Sequence, residues 1–152
     1  MPSTTSQAAA LGRRNLPLLL LQAREAVISR FRPMLTERGL TEQQWRVIRL
    51  LNDMGELEPR ELSRLCQILK PSLTGLLGRL ETAGLVTRRR HGTDLRRQVV
   101  AITDRCRDLV RDIAPAVEAR YDQLERDVGP ELIDELYDVL DRLLAAQARP
   151  PG

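Results

Sequence analysis

Lysine, histidine and aromatic residues are nearly missing from this chain of 152 residues: Lys70 is the single lysine, His91 the single histidine, and Phe31, Trp45, Tyr121 and Tyr137 are the only aromatics. With so few rings, the core must come from Leu, Val, Ile and Ala, a bias that suits helices better than β-sandwiches. Cys66 and Cys106 stand apart, with no C-x-x-C pair and no histidine at ligand spacing, which argues against structural zinc. One histidine, no glycine-rich phosphate loop and no metal spacing leave no nucleophile and base to nominate, so the chain reads as a non-enzyme that needs no cofactor. Long apolar runs are also lacking. LPLLLL at 16–21 is too short for a signal-peptide core, and nothing approaches a membrane span, so a soluble, cytoplasmic protein with reduced thiols is expected.

The chain does have charge, and it is unevenly spread. The net value is only +3, but residues 70–97 carry seven cations against two acids, whereas residues 98–152 carry seven against twelve. All cations except Lys70 are arginines, which suit phosphate and base-edge contacts.

Periodicity predicts a mainly α chain. Residues 1–14 are small, polar and aperiodic, and read as a disordered arm. Leu16, Leu19, Leu20, Ala23, Val27, Phe31 and Leu35 form one helical stripe ending at Gly39, with a kink or early stop near Arg32 caused by Pro33. Thr41 to Gln44 has the form of a capping box before a second helix that stops at Gly55. Pro59 opens a brief third helix whose expected buried face is Leu62, Leu65 and Cys66. Lys70-Pro71-Ser72 opens a fourth that ends at Gly84. The period then changes. Residues 85–90 and 96–102 read as a β-hairpin with Val86, Val100 and Ile102 inward. Thr103-Asp104 starts a long helix containing Pro115, where a bend is expected, and Gly129-Pro130 separates it from a last helix before the frayed tail AQARPPG.

Two short helices and a hairpin with a cationic tip occur here in the order of a winged helix-turn-helix. The fold expected is therefore α+β and mainly α: a winged helix-turn-helix over 41–102, flanked by long dimerisation helices over 15–40 and 103–147. The fourth helix is the one that enters the major groove, presenting Lys70, Ser72 and Thr74, with Arg79 a turn further along. Gly75 and Gly78 leave room for close approach to DNA. Arg88, Arg89, Arg90, Arg96 and Arg97 put five cations on adjacent strands, where an anion nearby makes their repulsion tolerable, and an arginine at the tip suits a narrow minor groove. Asp94 is the local acid expected to fix the wing by pairing with an arginine.

The run LTGLLGRLETAGLVTRRRHGTDLRRQVVAIT, 73–103, resembles the signature of MarR-family transcriptional regulators: a recognition helix ending in R-L-E, then G-L-V, a wing with D-x-R-R, and a strand closing on Thr. The segments LPLLLLQARE (16–25), FRPML (31–35), GLTEQQWRVIRLL (39–51), GELEPREL (55–62) and ILKPSLTGLLGRLE (68–81) further resemble its HpaR-like, homoprotocatechuate-operon branch. The resemblance implies a homodimer on a pseudo-palindromic double-stranded DNA operator, with recognition helices in successive major grooves and wings in flanking minor grooves. It places Ser72, Thr74 and Arg79 on the recognition helix, and Asp94 and Arg96 at the wing tip.

It also implies release from DNA by a small aromatic or heteroaromatic acid bound between the dimerisation helices and the reading head. Such a pocket needs an arginine, a hydroxyl or amide, and apolar walls; Ser29, Met34, Trp45 and Arg46 are the candidates. The function expected is thus a ligand-responsive repressor of an aromatic-acid catabolic operon. The alternatives are a helical protein-interaction module that binds no DNA, and a redox-responsive regulator using Cys106 and Cys66, with Arg105 and Arg107 lowering the Cys106 pKa.

Overall fold

A computed structural model describes residues 8–148, with the backbone alone for His91 and Leu95. Residues 1–7 of the expected arm and 149–152 of the expected tail lie outside this range; residues 8–14 are exposed and in neither helix nor strand. The order of elements is α1 (Leu16–Ile28), α2 (Arg32–Glu37), α3 (Glu42–Met54), α4 (Pro59–Cys66), α5 (Lys70–Thr82), β1 (Val86–His91), β2 (Asp94–Ile102), α6 (Asp104–Val128) and α7 (Pro130–Gln147).

Local chemistry explains most boundaries. The Asn15 side chain accepts the Leu18 N–H at 3.1 Å and starts α1. Thr41 Oγ1 accepts the Gln44 N–H at 3.1 Å while Gln44 Oε1 accepts the Thr41 N–H at 3.0 Å, closing the capping box of α3. Gly55 and Gly129, at φ of 84° and 91°, end α3 and α6 in backbone that favours glycine. The stripe breaks near Arg32 as expected, α1 ending at Ile28, and Pro33 then has a further part. It sits in the first turn of a separate helix, α2, where its missing N–H costs no hydrogen bond, so the single predicted helix is two. Further along, α6 runs through Pro115 as one continuous helix.

The main core joins α2–α5, the hairpin and the first half of α6. Leu35, Val47, Ile48, Leu51, Leu62, Leu76, Leu77, Leu80, Val86, Val100, Cys106 and Ile113 are among its fully buried side chains. Val86, Val100 and Ile102 face inward as the alternation predicts, and Val86 lies opposite Ile102 in the antiparallel register. Leu65, expected inside, is exposed. The larger departure is α1. None of its thirteen residues is buried, and Leu16, Leu18, Leu19, Leu20 and Leu21 are all exposed. On α7, Leu132, Leu136, Tyr137, Val139, Leu143 and Leu144 are likewise exposed. Among the described residues, no helix is long and apolar enough to cross a membrane.

Candidate nucleic-acid interface and effector cavity

The turn between α4 and α5 is built from side chains as well as backbone. Gln67 ends α4 in the left-handed region, φ 53°, which non-glycine residues seldom adopt. Ser63 Oγ donates to the Ile68 carbonyl at 2.6 Å and holds the chain through this bend. It then enters α5 at Leu69, with Pro71 in the first turn. Leu73, Leu76, Leu77 and Leu80 bury the inner face of α5, which leaves Lys70, Ser72, Thr74 and Arg79 exposed on the outer one. The Thr74 hydroxyl donates back to the Lys70 carbonyl at 3.0 Å.

Beside α5 stands the hairpin. Between them a cleft of about 300 Å³ is lined by Arg60, Lys70, Thr74, Arg88 and Gln98, among others. Arg60 and Gln98 were not anticipated; Arg60 was within reach of sequence reasoning, being exposed in the first turn of α4.

Sequence alone does not show how the wing arginines are partnered. Arg88 Nε lies 3.4 Å from Glu81 Oε2, Arg89 Nη2 bonds Glu56, and Arg97 bonds Glu58 through both Nε, at 2.7 Å, and Nη2. The Glu58 hydrogen bond holds the Arg97 guanidinium above its usual range. Arg90 and Arg96 have no carboxylate within ion-pair distance among the described residues, and neither do Lys70 and Arg79. The anion expected beside the five wing cations is thus partly internal: Glu81, Glu56 and Glu58 take three of them, and Arg90 and Arg96 remain. Asp94 does fix the wing, but by accepting the Arg96 backbone N–H at 3.0 Å and not by pairing with a guanidinium. The space over the glycines is also partly filled from within. A Cβ at Gly75 would lie 3.7 Å from Arg79 Nη1, and one at Gly78 3.9 Å from Arg88 Nη2.

A second site lies on the other side of the head, where α1, α3, α4 and α6 meet. Ile28, Glu42, Trp45, Arg46, Arg49, Leu50, Leu65, Cys66 and Tyr121 line a cavity of about 290 Å³. Trp45 and Arg46 are where sequence reasoning places them. Ser29 and Met34 are not on the cavity: Met34 is buried in the core, and Ser29 Oγ donates to the Ala26 carbonyl at 3.3 Å. Arg46 is already committed, donating to the Cys66 carbonyl at 2.8 Å and to Glu42 at 2.5 Å. Arg49 offers more freedom: its Nε is held at 3.0 Å from Asp53, and Tyr121 is its other polar neighbour. Burial works against its charge, but Asp53 and Tyr121 outweigh that and raise its pKa above the usual value. Arg49 follows Trp45 by four residues, so helical spacing placed it on the same face. Tyr121 gave no such signal; it reaches the site from α6, stacked edge-on against Phe31 with centroids 5.0 Å apart.

Both cysteines are buried, and burial pushes both thiols up despite Arg46 near one and Arg107 near the other. Arg107 does pull the Cys106 thiol down as expected, while Arg105 does not contribute. Burial outweighs the arginine, and a buried thiol of raised pKa gives the redox alternative no support.

A supporting helix, a tight turn, a second helix with an exposed polar N-terminal face and a basic two-stranded wing define the winged helix-turn-helix class of DNA-binding proteins. Residues 38–97 match the MarR family, and the chain belongs to that family of transcriptional regulators. The HTH-type transcriptional regulator FarR of Neisseria gonorrhoeae is 44% identical over 124 residues, 82% of this chain and 85% of its own. The homoprotocatechuate degradative operon repressor of Escherichia coli is 37% identical over 131 residues, 86% of this chain and 88% of its own. Among solved structures, NadR in complex with 4-hydroxyphenylacetate superposes with a TM-score of 0.79 at 40% identity, covering 90% of this chain and 97% of its own. These relatives also set aside the interaction module that binds no DNA.

Proposed function

We propose that the protein is a homodimeric cytoplasmic repressor of an aromatic-acid degradation operon, released from its operator by a small aromatic carboxylate. The observation that carries this reading is the cavity beneath α1, which sets Arg49 and Arg46 beside Trp45, Tyr121 and apolar walls. An aryl acid needs that combination, a guanidinium for its carboxylate and an aromatic slot for its ring. 4-Hydroxyphenylacetate in NadR and the homoprotocatechuate operon of the E. coli relative supply the ligand class to try first. Residues 15–40 and 103–147 serve as the dimerisation region. In support, a groove of about 390 Å³ between α1 and α7, lined by Leu20, Val27, Ile28, Leu136 and Leu140, is the kind of apolar surface a second copy covers. Lys70, Ser72, Thr74 and Arg79 address the major groove, Arg90 and Arg96 the minor groove.

The test is titration with 4-hydroxyphenylacetate and 3,4-dihydroxyphenylacetate, read by melting temperature and by gel-shift on the protein's own upstream DNA. Binding is expected to raise the melting temperature and to release DNA. Arg49→Ala should lose both responses while still binding DNA. Release by the acids that persists in Arg49→Ala moves the ligand elsewhere, and no response to any aryl acid overturns the effector class.

A further inference from the structure

Two of the wing's ion pairs end on one short segment of chain. Residues Glu56–Glu58 run along the free edge of β2 as a third, minimal strand: the Leu57 N–H donates to the Val100 carbonyl at 3.1 Å, and the Val100 N–H to the Leu57 carbonyl at 2.8 Å. Side chains alternate along a strand, so Glu56 and Glu58 share the face that Leu57 does not take. Arg89 and Arg97 meet them there, over 33 and 39 residues of sequence. Val99, paired with Arg89 in the hairpin, is 5% exposed yet lies outside the main core. Arginine stems held in place provide such cover. Glu58 has a second attachment. Its N–H donates to Glu61 Oε1 at 3.3 Å at the head of α4, so the residue that holds the wing also begins the helix that supports α5.

We propose that Arg89 and Arg97 are positioning residues, not phosphate contacts, and that Glu56 and Glu58 form a strap setting how far the wing tip stands from the recognition helix. The grooves of a duplex lie at fixed separations, so α5 and the tip bind together only if the wing keeps its angle. A loosened wing engages one groove at a time and loses affinity for the operator more than for arbitrary DNA. Removing a negative charge beside the wing must then weaken binding to DNA, the reverse of simple charge repulsion.

The experiment uses the full chain and an operator selected by the wild-type protein from random duplexes. Glu58→Gln, Arg97→Gln and the double variant are compared for operator affinity, for affinity to a scrambled duplex, and for the slope of log K against log salt. Glu58→Gln and Arg97→Gln are each expected to weaken operator binding about three- to fivefold, the range open to an exposed ion pair. The double variant should be no worse than either single one, and the Arg97→Gln salt slope should stay at the wild-type value. An Arg97→Gln slope lower by about one, with Glu58→Gln tightening operator and scrambled DNA alike, makes Arg97 a phosphate contact and overturns the proposal. Additive losses in the double variant overturn it too. If Glu58→Gln melts early, Glu56→Gln and Arg89→Gln on the other half of the strap carry the same expectations.

Discussion

Arg96 stands at the wing tip with its backbone N–H fixed by Asp94 and its guanidinium free of any carboxylate among the described residues. A fixed backbone with an uncommitted charge is what a minor-groove contact needs, because little freedom is lost when the phosphate-lined groove arrives. Arg96→Ala is therefore expected to weaken operator binding and to lower the salt slope by about one, measured by fluorescence anisotropy across a salt series. An unchanged slope would remove Arg96 from the interface. Arg97, its neighbour, is predicted to leave the slope untouched, and side-chain alternation alone separates the two. The five wing arginines look equivalent in sequence because Glu56 and Glu58, the partners of Arg89 and Arg97, lie 33 and 39 residues away. By contrast, Trp45 and Arg46 were readable as cavity residues, and Arg49 was readable from its helical spacing.

Thr103 shows how one side chain can join two elements. Its hydroxyl accepts the Cys106 N–H at 3.1 Å, starting α6, and donates to the Gly84 carbonyl at 2.7 Å, closing the end of the recognition helix against the base of the wing. Thr103→Ala removes an N-cap and leaves a partly buried carbonyl short of a donor. The expected loss is about 1 to 2 kcal/mol in denaturant unfolding at fixed protein concentration. A change below a few tenths of a kcal/mol would show that α6 needs no cap. Most element boundaries were legible for this reason: caps, αL glycines and first-turn prolines act within one helical turn. Pro33 signals the break near Arg32 but not that a separate helix starts there, because the same residue breaks a helix interior and opens a helix start, and only the chain's path decides between them.

The whole molecule presents two apolar helices with little to cover them. In α1 none of the residues is buried, and α7 buries only Ile133. Leaving so many leucines exposed is unfavourable by roughly 25 cal/mol per Å², which is the physical ground for the proposed second copy on the α1–α7 groove. Leu136→Glu on that groove is expected to shift the protein from dimer to monomer in sedimentation velocity at micromolar concentration. Operator affinity should fall at least tenfold as the two recognition helices are uncoupled. A dimer that survives Leu136→Glu would place the interface elsewhere. With two reading heads, half-sites should repeat about one helical turn apart, ~34–36 Å. Footprinting checks that spacing.

The amino-acid order by itself determined the helices and strands apart from the separate α2, the inward residues of α5 and the hairpin, and the concentration of cations in residues 70–97. The first two follow from spacing, capping and backbone preference within a few residues. The tertiary structure alone decided which arginines are free, which side chains complete the aromatic cavity, and that the leucines of α1 are not spent on the chain's own core. Charge pairing and burial are set by neighbours brought together from distant parts of the chain. A guanidinium carries the same charge in every sequence, but it is available to DNA only where the fold has not already given it a carboxylate.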